Sequence, residues 1–333
     1  MQPFQYLKPA NMADALAAML TSASRAKQVL AGGTTLIDLM KLNVMRPDVL
    51  IDIGGLAELT GIDTSGDREM SFGALARMSD VANDPIILAR YPVLSEALLK
   101  AASSQLRNVA TLGGNIMQRS RCAYFRGDAY PCNKKNPGSG CAAIEGLNRG
   151  HAVLGGSEAC ISAFPGDLAI ALVALDAQVD VQSLRTHRTM LMADLHRLPG
   201  GRPDIETELA PDELITRIRI PHSELGKASA YHKVRDRESF AFALASAAVA
   251  LKLDGPRVLD ARIVLGGVAT KPWRSRAAEE NLIDQFLTED SARKVGQIAM
   301  QGAQARRHNA FKIALGAETV AEALMIASKR AGR

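Results

Sequence analysis

All four cysteines of the chain lie within 39 consecutive residues, and this concentration constrains the fold more than any other feature of the sequence. They belong to a Gly-, Asn- and Cys-rich stretch, residues 111–160, that is too long for an ordinary connection, because loops beyond roughly 12 to 15 residues are usually functional or disordered. Four cysteines argue against disorder. We therefore expect residues 119–160 to form a loop organised around Cys122, Cys132, Cys141 and Cys160.

The spacing of the cysteines leaves three chemistries open. Zinc sites usually separate paired ligands by about two to four residues, whereas these cysteines are separated by 9, 8 and 18 residues, which disfavours zinc. Two disulfides are the second alternative, although a 333-residue chain with its own core does not need them. Four thiolates also suit a [4Fe-4S] cluster, whose ligands can be unequally spaced. Nearby cations would offset its negative charge: Arg119, Arg121, Arg126, Lys134 and Lys135.

The first 55 residues follow an α/β pattern. Asn11 is a suitable N-cap for an Ala- and Leu-rich helix that ends near Leu20. A short strand at residues 28–30 then leads into a Gly-Gly turn and a helix at residues 36–41. Such a turn lets backbone N–H groups approach a phosphate, and no Gly-Lys-Ser/Thr follows it as in a Walker loop. The turn consists of Ala31, Gly32, Gly33, Thr34, Thr35 and Leu36.

A second Gly-Gly turn occupies residues 111–116, where the Thr111 hydroxyl and the Asn115 carboxamide could hydrogen-bond a ligand. Either turn alone is more typical of a tight turn or a helix cap, but two turns, together with Asp167 after Pro165-Gly166, indicate an extended cofactor. Residues 138–143 match the glycine spacing of a dinucleotide-binding fingerprint. Because no strand precedes them, we take that match as coincidental.

The last third of the chain has a different pattern. Between residues 56 and 222 we expect short strands and one helix near residues 95–105. After a boundary at about residues 223–228, two strands over 242–253 and 258–268 flank an Asp254-Gly255 hairpin turn. Three helices are then predicted at residues 277–287, 291–306 and 317–329.

Charge and composition exclude two classes of partner. The formal net charge of +5 is spread along a chain that is only 4% aromatic, whereas nucleic-acid binding needs a clustered basic surface, usually with stacking aromatics. The longest apolar runs are about half of the roughly 18 to 20 residues that cross a bilayer. We expect no nucleic-acid partner and no membrane span.

In their order and separation, these motifs resemble the FAD-binding medium subunit of the molybdenum hydroxylases, a family that includes xanthine dehydrogenases, carbon monoxide dehydrogenases and aldehyde oxidoreductases. The resemblance covers nearly the whole chain. The cysteine insert resembles a subtype with an extra [4Fe-4S] cluster, best matched by the flavoprotein subunit of periplasmic bacterial aldehyde oxidoreductases. The flavoprotein of benzoyl-CoA reductase type is a more distant match.

The resemblance implies an α+β fold with two domains. Residues 1–222 would form a two-part FAD-binding domain of the PCMH type, with subdomains at about 1–55 and 56–222 and the cysteine-rich loop at 119–160. Residues 228–333 would form a small C-terminal α+β domain in which an antiparallel sheet packs on helices.

The resemblance also implies a role for individual residues. The first turn would hold the FAD pyrophosphate, and the second would lie along the flavin and ribityl chain, with Ile116 against the isoalloxazine. Asp167 would accept a hydrogen bond from the ribityl chain or flavin edge, and Lys233 would approach the flavin. The implied FAD-binding residues are Leu30, Ala31, Gly32, Gly33, Thr34, Thr35, Leu36, Thr111, Gly114, Asn115, Ile116, Asp167 and Lys233. The implied cluster ligands are Cys122, Cys132, Cys141 and Cys160.

No catalytic residue is predicted, because no acid/base pair or activated nucleophile is recognisable in the sequence. The resemblance implies an electron-transferring subunit of a heterotrimeric, molybdenum-dependent aldehyde oxidoreductase. A large subunit would carry the molybdenum cofactor, a small subunit would relay electrons through [2Fe-2S] clusters, and FAD in this chain would pass them to an external acceptor. The alternatives are a related hydroxylase or reductase of the xanthine or 4-hydroxybenzoyl-CoA type, a single-chain flavoprotein oxidase and a zinc-binding interaction module.

The start of the sequence lacks the features of a signal peptide. Relatives of the best-matched subtype reach the periplasm as a folded complex that is exported on a partner's twin-arginine signal. The resemblance therefore implies a periplasmic complex, and a cytoplasmic one is the alternative.

Overall fold

The described part of the chain contains three β-sheets. The computed structural model describes residues 1–21 and 26–331. One sheet is parallel and two are antiparallel, and helices cover them, so the predicted α+β class is confirmed. Among the helices in the described ranges, none combines the length and the apolar character needed to cross a membrane.

The parallel sheet is built from the first 52 residues, with its third strand in the middle. The Asn11 side chain accepts a hydrogen bond from the Asp14 N–H at 2.9 Å, which confirms the predicted helix start. Leu16 on the first helix packs against Ile51 on the central strand. The elements are β1 (Gln5–Leu7), α1 (Met12–Thr21), β2 (Lys27–Leu30), α2 (Leu36–Lys41) and β3 (Val49–Asp52).

The second sheet has five antiparallel strands in the order β4-β5-β8-β6-β7. Its strands are β4 (Ile62–Asp63), β5 (Glu69–Gly73), β6 (Gln178–Gln182), β7 (His187–Leu191) and β8 (Leu214–Pro221). A 3₁₀ turn at Ala57–Leu59 precedes it. The connecting helices are α3 (Met78–Ala82), α4 (Pro85–Arg90), α5 (Pro92–Leu99), α6 (Ser104–Arg107), α7 (Leu112–Ile116), α8 (Ala123–Arg126), α9 (Leu168–Ala174) and α10 (Met192–Leu195).

The single helix predicted near residues 95–105 is wrong. The chain forms two helices there, because Ala102 adopts a left-handed conformation with φ of +50° after α5 ends. The Ser103 side chain then caps α6 by accepting from the Leu106 N–H at 3.3 Å. A left-handed residue cannot continue a right-handed helix, so the two helices are separate.

The third sheet is an antiparallel meander in the order β12-β11-β10-β9. The two strands predicted around a hairpin are confirmed, and Gly255 makes the turn with φ of +54°. The three predicted helices are also present, with different limits. The elements are β9 (Ser229–Val234), β10 (Ala245–Asp254), β11 (Arg257–Gly266), β12 (Trp273–Arg274), α11 (Arg276–Leu282), α12 (Glu289–Ala299) and α13 (Phe311–Ala331).

Helix α9 joins the second and third sheets. All seven of its residues are buried, as expected for a helix that is apolar on every side. Its side chains share one core with Val179 and Ile218 of the five-stranded sheet and with Ala248 and Val264 of β10 and β11. The residue before this helix, Asp167, is therefore held between the two sheets.

Candidate functional site

Both Gly-Gly turns face one cavity of about 570 Å³. This volume lies within the range of roughly 300 to 1,000 Å³ that is common for small-molecule and cofactor sites. From the second turn, Thr111, Gly113 and Gly114 contribute to the wall. The first turn contributes Ala31, Gly32, Gly33, Thr34, Thr35 and Leu36. The structure thus brings together two segments that lie about 80 residues apart in the sequence.

Gly32 allows the two turns to touch. A Cβ atom at this position would lie 2.3 Å from the Val109 carbonyl oxygen and 3.2 Å from the Ala110 Cα, which is closer than real side chains approach. Val109 and Ala110 lead directly into Thr111, so the first turn rests on the backbone that forms the second. The next residue, Gly33, has φ of +72°, a conformation that favours glycine.

The two threonines that lie before short helices behave differently. The Thr111 hydroxyl oxygen accepts a hydrogen bond from the Gly114 N–H at 3.2 Å and so caps α7. Its own O–H group can still donate to a ligand. Thr35 is the N-cap residue of α2, but its side chain makes no capping hydrogen bond to the described residues. Its hydroxyl oxygen is therefore not used to cap the helix.

Three predicted residues near the turns lie outside the wall of the cavity: Leu30, Asn115 and Ile116. Ile116 is 0% exposed and belongs to the core, which places it away from a flavin at the wall. The Asn115 Oδ1 atom is buried without a hydrogen-bond partner in the described part of the chain. A buried unpaired oxygen is costly, so a ligand that donates to it would be favoured.

Asp167 and Lys233 form a buried ion pair behind the cavity. Their charged atoms are 2.8 Å apart, and their side chains are 6% and 1% exposed. The Tyr231 hydroxyl donates to the other Asp167 oxygen at 2.5 Å. Burial raises the pKa of Asp167, and the contacts with Lys233 and Tyr231 oppose that increase. In the structure, Asp167 and Lys233 bind each other. The contacts with a flavin that were predicted for these two residues therefore stay predictions.

The wall of the cavity also contains a charged group whose carboxylate, Glu206, the sequence analysis missed. The Glu206 carboxylate accepts from Arg119 Nε at 2.5 Å and from Lys134 Nζ at 2.6 Å, and all three residues line the cavity. Burial alone would raise the pKa of Glu206, but the two cations hold it below its ordinary value. Because Glu206 lies 72 and 87 residues after its partners, no local pattern could reveal the group.

His196 is a second residue of this wall that the sequence analysis missed. Its Nε2 atom lies 2.9 Å from the Ile116 carbonyl oxygen, and its ring meets the Phe164 ring edge-on at 4.5 Å. Burial lowers the pKa of His196 to about 4, so the ring is neutral at pH 7 and donates to that carbonyl. His196 thereby fixes the end of the second turn.

The four cysteines are free thiols in neighbouring segments of one loop. Cys132 and Cys141 pair across an antiparallel bridge, and Cys122 packs against Cys132. Burial raises the pKa of Cys122 to about 12, and the nearby Cys132 and Cys160 add to this increase. Burial likewise raises the pKa of Cys160 to about 11, although Lys134 opposes it. Cys160 also lines the cavity.

The cysteine thiols lie near one another, but in the described residues they are not arranged as a set of metal ligands. Within residues 1–21 and 26–331, no group of three or more His, Cys, Asp or Glu side chains is arranged to hold a metal ion. The predicted cluster ligands therefore stay a prediction.

The cations expected to offset a cluster charge have partners of their own. Arg121 and Arg126 both pair with Asp38, at 3.0 and 2.9 Å. Arg119 and Lys134 share Glu206, and Lys135 donates to the Gly127 carbonyl. Two carboxylates, Asp38 and Glu206, thus balance part of the positive charge around the cysteine loop.

The apparent Rossmann fingerprint at residues 138–143 forms an ordinary turn. Gly138 and Gly140 adopt φ of +89° and +95°. Their N–H groups donate to Asn133 Oδ1 at 3.0 and 2.9 Å, which uses the donors that a phosphate would need.

Two family models match the chain in succession. The first, described as the FAD binding domain in molybdopterin dehydrogenase, matches residues 2–223. The second, described as the CO dehydrogenase flavoprotein C-terminal domain, matches residues 229–327.

Individual relatives match over the full length. The chain is 42% identical over 332 residues to the aldehyde oxidoreductase FAD-binding subunit PaoB of Escherichia coli, covering 99% of this chain and 100% of the relative. It is 28% identical to the carbon monoxide dehydrogenase medium chain of Hydrogenophaga pseudoflava, covering 98% of each. A solved structure of carbon monoxide dehydrogenase from that organism aligns with a TM-score of 0.77 at 26% identity, covering 99% of this chain and 98% of the other.

Proposed function

This chain belongs to the FAD-binding medium subunits of the molybdenum hydroxylase family, and from that premise we propose that it serves a molybdenum-dependent aldehyde oxidoreductase as its electron-transferring subunit. The observation that carries the proposal is the 42% identity, over 99% of the chain, to the FAD-binding subunit of an aldehyde oxidoreductase. The similarity to the carbon monoxide dehydrogenase medium chain is lower, at 28%. This difference favours an aldehyde over carbon monoxide as the substrate of the complex.

The two Gly-Gly turns are the proposed FAD site. Residues 31–36 would place backbone N–H groups around the pyrophosphate, and Gly32 lets this turn approach the second one. The Thr111 hydroxyl would donate to the rest of the cofactor, and Gly114 lines the cavity beside it. The role of Asn115 in binding FAD stays a prediction. The bound cofactor supplies the redox chemistry, while the protein binds and orients it and excludes water.

Substrate chemistry is assigned to a partner subunit. His196 donates to a backbone carbonyl and Glu206 is held by two cations, so neither is arranged to take a proton from a substrate. This argues against a single-chain flavoprotein oxidase. In the proposed heterotrimer, a large molybdenum-cofactor subunit oxidises the aldehyde and a small [2Fe-2S] subunit delivers electrons to this chain, which passes them to an external acceptor.

A [4Fe-4S] cluster bound by Cys122, Cys132, Cys141 and Cys160 is the second part of the proposal. All four thiols are free. Cys132 and Cys160 are near enough to raise the pKa of Cys122, and Cys132 and Cys141 are near enough to raise that of Cys160. Buried thiols with raised pKa values stay protonated alone, whereas bound iron would stabilise the thiolates. Cys160 lines the FAD cavity, so the cluster would lie beside it.

The test is cofactor quantification on the complex, co-expressed with its partner subunits and purified without oxygen. We expect about one FAD and four irons with acid-labile sulfide per copy of this chain, in addition to the iron of the small subunit. In the Cys122→Ser variant, about four irons should be lost while FAD is retained. Iron unchanged by this variant would contradict the cluster, and zinc in its place would favour the interaction module.

Turnover separates the proposed aldehyde oxidoreductase from its relatives. Assays with aromatic and aliphatic aldehydes, xanthine and 4-hydroxybenzoyl-CoA, each with an artificial electron acceptor, should give activity with aldehydes alone. Turnover of xanthine or of the thioester would assign the complex to the corresponding related type.

Export of the folded complex to the periplasm is proposed on the resemblance alone. Cell fractionation of the native host should recover this chain with its molybdenum partner in the periplasmic fraction. Recovery of both in the cytoplasm would contradict the proposal.

A further inference from the structure

One side chain outside the cysteine set touches a cysteine sulfur. The Nε2 atom of His151 lies 3.1 Å from Cys122 Sγ, within hydrogen-bond distance for a sulfur acceptor. The imidazole is buried, and its centre is 6.1 Å from that of the Tyr124 ring. The contact between His151 and Cys122 therefore lies inside the cysteine-rich loop.

The ring can serve as the donor in this contact. In the described part of the chain its Nδ1 atom makes no hydrogen bond of standard geometry, although a backbone contact with Asn148 acts on the ring. A thiolate bound to iron has no proton of its own and accepts from the Nε2–H tautomer. Ligation of Cys122 would therefore select the tautomer in which His151 donates.

The backbone of His151 is held by the last helix of the chain. Lys312 on α13 is 0% exposed, and its ammonium donates to the carbonyls of Gly150, His151 and Gly267 at 3.3, 3.1 and 2.7 Å. These three bonds use all three protons of the ammonium. Burial of a lysine costs folding free energy unless its ammonium is fully hydrogen-bonded. Two of the three hydrogen bonds of Lys312 hold the backbone of residues 150 and 151.

Two asparagines reinforce the same connection. Asn309 donates from Nδ2 to the carbonyls of His151 and Ala152, at 3.4 and 3.2 Å. Asn148 accepts the His308 N–H at 2.9 Å through Oδ1. Residues 148–152 are thus tied to residues 308–312 by several buried polar contacts.

We propose that His151 donates a hydrogen bond from Nε2 to Cys122 Sγ when this sulfur is a cluster ligand, and that Lys312 positions His151 for this bond. The proposal rests on the cluster proposed above. Hydrogen bonds to ligand sulfurs are one of the factors that set cluster potentials. Reduction adds negative charge to the sulfurs, so a donor stabilises the reduced state more and raises the reduction potential.

The experiment compares two substitutions of His151 in the oxygen-free heterotrimer. His151→Leu removes the donor, and His151→Gln keeps an N–H group on a side chain of similar reach. The midpoint potential of the cluster is followed by electron paramagnetic resonance during redox titration, and iron, sulfide and FAD are counted. The exposed residue His187 on β7 provides the matched control, His187→Leu.

We expect a lower cluster potential in His151→Leu, a value closer to the parent in His151→Gln, and no shift in His187→Leu. Lys312→Met should lower the potential in the same direction while FAD content stays at the parental level. An unchanged potential in His151→Leu with full iron content would overturn this inference and leave the cluster standing. A parent without the additional iron would overturn the cluster and this inference together.

Discussion

Gly32 shows how the absence of one methyl group determines the shape of the cavity that is the proposed FAD site. A Cβ atom at this position would clash with the Val109 backbone and crowd that of Ala110, so any side chain would push apart the turns that line the cavity. The sequence pattern predicted a close approach of the backbone at this glycine. The pattern predicted that a ligand would approach this glycine. The structure shows that the backbone leading into the second turn approaches it.

Substitution of Gly32 by alanine should weaken FAD binding. The added Cβ would clash with a carbonyl oxygen, and overpacking of this kind costs about 1 to 3 kcal/mol, which corresponds to a loss of affinity from roughly fivefold to more than a hundredfold. Equilibrium titration of the FAD-free protein measures the dissociation constant. Gly61→Ala is the control, because a Cβ there would meet no atom within 4 Å. Equal affinities in the two variants would contradict the proposed contact.

His196 should make the protein less stable in mild acid. Its pKa is about 4 in the folded state and about 6.5 when unfolded, so between these values the unfolded chain binds more protons. The free energy of unfolding therefore falls as the pH drops from 6.5 toward 4, by about 3 kcal/mol for this residue.

The variant His196→Gln keeps an N–H donor for the Ile116 carbonyl but does not titrate. Urea unfolding at pH 7 and pH 4.5 should show a smaller loss of stability in this variant than in the parent, while the exposed control His187→Gln should follow the parent. A pH dependence that is unchanged by His196→Gln would contradict the assignment.

At the scale of single residues, contacts between side chains that are far apart in the sequence could not be predicted. Asp167 and Lys233 were both singled out from the sequence, yet their contact joins positions 66 residues apart, and no local pattern encodes such a pairing. Glu206 and His196 were missed for the same reason. The residues of the first turn, by contrast, were predictable because a strand, two glycines and a helix follow one another directly.

Short elements determine the geometry of the site, and α7 is the clearest case. With five residues, it is too short to be stable by itself and depends on its cap. Thr111→Ala should cost about 1 kcal/mol by removing the bond to the Gly114 N–H, which is roughly a fivefold loss of FAD affinity if α7 must be formed.

Two further variants test whether this effect is local. Thr111→Ser keeps the hydroxyl and should bind FAD like the parent. Ser103→Ala removes the cap of the neighbouring helix α6 and should lower stability without changing FAD affinity. Weakened FAD binding in Ser103→Ala equal to that in Thr111→Ala would indicate general destabilisation.

Prediction was best for elements with strong periodicity and local turn signals. The β10–β11 hairpin was predictable because Asp254-Gly255 lies between two apolar runs. The limits of α11 were not, because the helix ends before Asp284, which adopts φ of +67°. The cysteine loop has almost no periodicity, and the Asn133 carboxamide organises it by binding Gly138, Gly140 and the Ala159 carbonyl.

At the scale of the whole molecule, polar contacts join helices α5 and α9 to the meander and to α13. Besides the Asp167–Lys233 pair, Lys100 donates to the Tyr231 carbonyl at 2.6 Å and Arg330 pairs with Glu96 at 2.5 Å. Such contacts hold these helices against the meander, because a polar group with little access to water requires a partner.

The substitution Lys233→Met should destabilise the fold by about 3 to 5 kcal/mol, since it leaves the Asp167 carboxylate buried without its cation. Guanidinium unfolding measures this loss. The double variant Asp167→Asn/Lys233→Met should lose less than the sum of the single variants, because no unpaired charge remains. Arg202→Met breaks the exposed pair with Asp204 and should leave stability unchanged. Additive losses would contradict direct coupling.

The anchoring of residues 148–152 by α13 also affects how the protein is made. Lys312 follows His151 by 161 positions, so a ribosome that adds about 5 to 20 residues per second completes the loop roughly 8 to 30 seconds before its anchor exists. Until then, the hydrogen bonds from Asn309 and Lys312 to the carbonyls of residues 150–152 cannot form. If the proposed cluster is bound, we expect its insertion to follow the synthesis of α13 rather than that of the loop itself.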